Sequence, residues 1–147
     1  MPEPETRDPD PYVFYTVVRR SLKLSTGKAV AQGQHAMDYL TREVDRLQDI
    51  DDREAWRKLP DDESERMEMA LTRLATFQTW RYSRDHAKIV LGASDAEFEL
   101  VKTENPEHFL VTDLGYTQVA PDTVTCLGLW PMRKSQASPT VKTLRPL

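Results

Sequence analysis

The chain predicts an α/β fold, a three-layer α/β/α sandwich around one sheet. Two observations carry this. Short runs of β-branched and aromatic residues recur at 12–18, 88–91, 109–112 and 124–129, which gives four strands. Segments of helical periodicity lie between the first three of them, at about 27–48, 61–84 and 94–104. Strands separated by helices bury their sheet between helical layers. At 147 residues the chain has the length of one domain.

The first strand, Tyr12-Val13-Phe14-Tyr15-Thr16-Val17-Val18, is apolar without alternation, as expected of a strand covered on both faces. Residues 19–26 form a turn in which Ser25 or Thr26 is available as N-cap. The first helix carries Met37, Leu40, Val44 and Leu47 on a core stripe. Residues 49–60 read as an acidic loop with a helical turn around Trp56. Asp61 or Asp62 caps the second helix, whose stripe is Met67, Ala70, Leu71, Leu74 and Phe77. Ser94 caps the third helix, Phe98 and Val101 face inward, and Asn105-Pro106 ends it. About ten residues join the last two strands, with no crossover helix. They are antiparallel neighbours or lie apart in a mixed sheet.

Composition bounds the function. There is no apolar run long enough to span a membrane. The start, Met1-Pro2-Glu3-Pro4-Glu5, is unlike a secretory signal. The single cysteine, Cys126, excludes an internal disulfide, fits a reducing, cytoplasmic setting and reads as core. His35, His86 and His108 lack zinc-ligand spacing, and no metal or cofactor is implied.

The net charge of -4 is unevenly spread: -3 over 1–11, +4 over 12–42, -6 over 43–69, -3 over 70–131 and +4 over 132–147. The first strand–helix unit and the tail are thus basic islands in an acidic chain. Phosphate affinity follows such local patches, although clusters of charge also occur as plain solvated faces. Three regions follow: an acidic, proline-rich leader over 1–11, expected to be disordered, one domain over 12–131, and a basic tail over 132–147. The tail is expected to dock in part through Val141 and Leu144, leaving its basic side chains outward.

The stretch Gly27-Lys28-Ala29-Val30-Ala31-Gln32-Gly33-Gln34-His35-Ala36 mixes small residues with functional groups. Lys28, Gln32 and His35 are spaced i, i+4, i+7 and share a helical face. Ala29, Gly33 and Ala36 form a small-residue face that lets the helix lie close to a sheet. A lysine at a helix start is placed to hold an anion. A second segment reads Asp113-Leu114-Gly115-Tyr116-Thr117-Gln118, followed by Thr123-Val124-Thr125-Cys126-Leu127-Gly128.

Together these segments resemble the type II peptidyl-tRNA hydrolase family, which carries a GK-x-x-AQ-x-x-HA helix, a D-x-G-x-TQ turn and a T-x-T-x-LG strand. The resemblance covers roughly residues 12–131. It implies a four-stranded mixed sheet, metal-independent hydrolysis of the ester in peptidyl-tRNA, tRNA as partner and a homodimer. It assigns Lys28 to charge stabilisation at the carbonyl or a terminal phosphate, and Asp113 to pairing with Lys28. Thr117 would donate to substrate or position water, His35 would act as base, acid or substrate contact, and Gln118 would buttress its loop and meet tRNA. Arg19, Arg20, Lys23 and Lys28 would grip phosphate. Plainer readings stand beside these: Asp113 as a turn residue, Thr117 as a loop threonine, His35 as structural and Gln32 as a polar brace.

The sequence departs from the family pattern in places. Ser21 stands where the family has aspartate, the GKGK turn reads Ser25-Thr26-Gly27-Lys28 so that Thr26 replaces its first lysine, and residues 45–66 are longer and more acidic than usual. These departures favour the alternative reading, a binding module of the same fold with weak or no turnover that contacts tRNA or a protein. Lys28, His35, Asp113 and Thr117 favour the enzyme.

Overall fold

Residues 13–18 are buried without a break, because their strand lies inside the sheet with apolar side chains on both faces. The computed structural model describes residues 7–52, 61–113 and 122–147. Along the chain run β1 (Tyr12–Arg19), α1 (Thr26–Asp52), α2 (Asp61–Arg81), β2 (Ala87–Ala93), α3 (Asp95–Glu104), β3 (Phe109–Asp113), β4 (Thr123–Gly128), β5 (Met132–Arg133), α4 (Pro139–Thr143) and β6 (Arg145–Pro146).

The sheet is mixed, with order β3-β4-β1-β2-β6 and β5 paired to the start of β1. β1 and β2 are parallel, and β4 is antiparallel to both β1 and β3. The last two sequence-predicted strands are therefore antiparallel neighbours. Among the described residues the sheet has six strands, which corrects the expectation of four. The added two, β5 and β6, have two residues each, too few for any periodicity to register, and both come from the basic tail.

Side chains of β1 alternate between two apolar clusters. Val13, Tyr15 and Val17 join Phe98 and Val101 of α3 and Val141 of α4. Phe14 and Val18 join Ala36, Leu40 and Val44 of α1 and Leu74, Phe77 and Trp80 of α2. The tail thus contributes to the core: Val141 is buried and Leu144 packs against the first cluster. Residues 1–6 of the acidic leader lie outside the described residues. Asp10 is tied down by the backbone N–H of Ser135 at 2.8 Å and its hydroxyl at 2.6 Å. These bonds hold its carboxyl below the usual aspartate range.

Element ends follow local chemistry. Ser94 caps α3 as expected, and the Glu97 side chain returns the bond to the Ser94 N–H. The end of α2 falls at Arg81, three residues before the predicted position. There Ser83 folds back onto the Trp80 carbonyl, His86 takes φ 44°, and Trp80 Nε1 donates to the Ala87 carbonyl at 2.8 Å. The helical turn expected around Trp56 lies outside the described residues. Gly128 sits opposite Phe109, and a Cβ there would overlap the Phe109 ring. That ring stacks on Phe14 with centroids 6.3 Å apart. Among the described residues no helix is long and apolar enough to cross a membrane.

Candidate active site

The chain leaves β1 through a single 3-10 turn, Arg20–Leu22, closed by Lys23 in the left-handed region at φ 47°. Ser25 then starts α1: its hydroxyl accepts from the Lys28 N–H at 3.3 Å and its carbonyl from the Ala29 N–H at 2.9 Å. This fixes Lys28 in the first turn of the helix, beside the end of β3. There its ammonium pairs with Asp113 Oδ2, the side chains being 14% and 5% exposed. Two segments far apart in sequence are joined by one ion pair.

A buried pair is stable only when neighbouring hydrogen bonds replace the lost water. Gln32, one turn along α1 and fully buried, supplies one. Its Nε2 donates to Asp113 Oδ2 at 3.1 Å, while its Oε1 accepts from the Thr125 hydroxyl at 2.6 Å. The hydroxyl and carboxylate partners fix which end of the amide is which. The result is a chain from β4 through α1 to β3, ending on Lys28. The brace reading of Gln32 fits this geometry. Thr125 is a site residue that the sequence does not single out: its one signal, the second threonine of the T-x-T strand, reads equally as an ordinary strand residue.

A cleft of about 340 Å³ opens over the pair. Lys28, His35, Asp38, Tyr39, Arg42, Thr112 and Asp113 line it. His35 is exposed and Gln32 is not, so the shared face read from the i, i+4, i+7 spacing divides into a cleft edge and a buried strut. Thr117 and Gln118 lie outside the described residues. Among the described residues, the Asp122 N–H donates to the Asp113 carbonyl at 2.6 Å.

The peptidyl-tRNA hydrolase PTH2 family model matches residues 12–147. The chain belongs to that family. It is 31% identical over 131 residues to a protein named peptidyl-tRNA hydrolase from Methanopyrus kandleri, over 85% of this chain and 89% of that one. The family match runs through residue 147, which takes in the tail that forms β5, α4 and β6.

Within this family member the three other basic residues assigned to phosphate lie away from the Lys28 cleft. Arg19 donates from Nε to Asp95 Oδ1 at 3.1 Å and from Nη1 to the Val124 carbonyl at 2.8 Å. Arg20 lies across Gly92, where a Cβ would strike its guanidinium, and donates to the Pro146 carbonyl at 3.0 Å. Lys23 is exposed. All three line a second cleft of about 460 Å³, floored by Leu24, Val30, Val90 and Leu147. The carboxylate missing at Ser21 is met from another element: Ser21 Oγ and Arg19 both donate to Asp95, at the start of α3. These bonds, the Ser21 hydroxyl foremost, hold the Asp95 carboxyl below its usual range.

Cys126 is fully buried, and burial pushes its thiol up to about 12, so it is a core residue. Its Sγ–H donates to the Gln32 carbonyl at 3.7 Å, beneath the same strut.

Proposed function

We propose that this chain hydrolyses the ester joining a peptide to the terminal ribose of tRNA, releasing peptide and free tRNA. The observation that carries the reading is the buried Lys28–Asp113 pair at the floor of a cleft, braced by Gln32 and Thr125. Family membership supplies the substrate class.

Water attacks the ester carbonyl carbon, the carbonyl oxygen becomes an oxyanion, and collapse expels the ribose oxygen, which takes a proton. The ammonium of Lys28 stabilises the oxyanion. Asp113 keeps that ammonium charged and aimed, and the Gln32–Thr125 strut keeps Asp113 in place. His35, on the edge of the same cleft, takes the proton from water and returns it to the leaving oxygen. In this reading Thr117 orients the water and Gln118 meets the tRNA. Arg19, Arg20 and Lys23 raise the local potential for phosphate on the neighbouring cleft.

Because Lys28 supplies the positive charge, the proposed reaction needs no metal. A cytoplasmic setting and a homodimer belong to the same reading, the first from the tRNA substrate and the second from the resemblance. Release of N-blocked amino acid from its tRNA in the presence of EDTA tests the proposal. Absence of release would leave tRNA or protein binding as the function.

A further inference from the structure

The cleft over Lys28 and Asp113 continues along α1. His35, Tyr39 and Arg42 follow Lys28 and Gln32 at alternating steps of three and four, so one helical face carries them all. At 1.5 Å per residue the strip from Lys28 to Arg42 is about 21 Å long, more than one nucleoside needs. Its outer part serves no core. Leu40 and Ala36 beside it are fully buried, whereas Tyr39 is 38% exposed. Arg42 is more exposed still and pairs with Asp38 Oδ2 at 2.9 Å, one turn back. An exposed pair of this kind is worth little and exchanges readily for a phosphate.

We infer that Tyr39 and Arg42 receive the single-stranded 3′ end of the tRNA, with a base stacked on Tyr39 and a backbone phosphate on Arg42. The inference rests on the peptidyl-tRNA reading, which puts the terminal ribose at Lys28. From that ribose the nucleotide chain leaves in one direction and the peptide in another. A neutral peptide gives Arg42 no partner, while a phosphodiester does, and an aromatic face beside a guanidinium suits any unstacked base. Past Arg42 the sequence becomes acidic, net -6 over residues 43–69, which repels phosphate and bounds the strip.

The test compares two esters, N-blocked aminoacyl-tRNA and N-blocked aminoacyl-adenosine, which lacks every nucleotide but the last. In Tyr39→Ala and Arg42→Ala the preference for the tRNA ester, as a ratio of kcat/KM values, falls about tenfold, through KM. Tyr39→Trp restores the preference. A labelled oligoribonucleotide ending in CCA binds both alanine variants more weakly than wild type, and Asp38→Asn binds it more tightly. Equal losses on the two esters, losses confined to kcat, or unchanged oligonucleotide binding would overturn the strip while leaving the hydrolase reading intact. A wild-type chain that cleaves neither ester would overturn both.

Discussion

Gln32 Nε2 donates to Asp113 Oδ2 at 3.1 Å, and this bond lets a buried carboxylate serve as the anchor of Lys28. Gln32→Leu removes that donor and leaves the Thr125 hydroxyl only its longer bond to the Val111 carbonyl, at 3.3 Å. The variant should lose about 1–3 kcal/mol of stability in urea unfolding, and more activity than that loss explains at temperatures where it is folded. Gln32→Glu sets a second carboxylate beside Asp113. Repulsion raises the folded pKa of the new group, so the penalty is small while it is protonated and grows as pH rises. Its unfolding midpoint, relative to wild type, should therefore fall between acid and neutral pH.

Thr125→Val tests the far end of the strut. It keeps the shape and deletes the hydroxyl that Gln32 Oε1 accepts from at 2.6 Å. The expected cost is about 1–2 kcal/mol of stability with a fall in kcat, since Gln32 is then free to turn. An unchanged kcat would separate the strut from catalysis.

Much of this was legible in the sequence. Lys28 and Asp113 stood out because helix-start and turn motifs fix their types and their places in the chain, and the structure joins them. Gln32 reads as a polar brace one helical turn before His35, and its bonds to Asp113 and Thr125 fit that reading. Thr125 does not stand out, because a hydroxyl in a buried strand has no periodic signature that separates support from packing. The Arg19–Asp95 and Ser21–Asp95 contacts were hidden for another reason: they join segments whose meeting depends on how α3 crosses the sheet. Strands β5 and β6 were too short for alternation to show. Thr117 and Gln118 lie outside the described residues, and their roles are carried by the proposal.

The bonds from Ser21 and Arg19 to Asp95 predict a pH-dependent contribution to stability. Its folded carboxyl titrates below the ordinary value of 3.8, chiefly through the Ser21 hydroxyl and then Arg19. A depressed carboxylate contributes stability that is present above the unfolded value and lost as pH falls through the folded one. Asp95→Asn should lower the melting temperature at pH 6, and the gap from wild type should narrow as pH falls below the ordinary carboxylate value and through the depressed folded one. A gap that stays constant across that range would remove the ionised carboxylate from the account.

Cys126 offers a probe of intactness. With its thiol pushed up to about 12 and fully buried, it should resist aromatic disulfide reagents at pH 8 and react once the chain is unfolded in guanidinium. Fast labelling of the native protein would contradict the core described around Gln32.

A double-mutant cycle on N-blocked aminoacyl-tRNA hydrolysis in EDTA tests the catalytic role of the Lys28–Asp113 pair most directly. Wild type should release the blocked amino acid, and Lys28→Ala, which leaves the Asp113 carboxylate buried without its cation and so melts lower, should lose roughly 10²–10³ in kcat/KM at a temperature where it is still folded. Asp113→Asn should also be slow, and the double variant should lose much less than the product of the two singles, because the residues act as one unit. Fully multiplicative losses, or a Lys28→Ala enzyme as fast as wild type, would contradict the claim that this pair performs the chemistry.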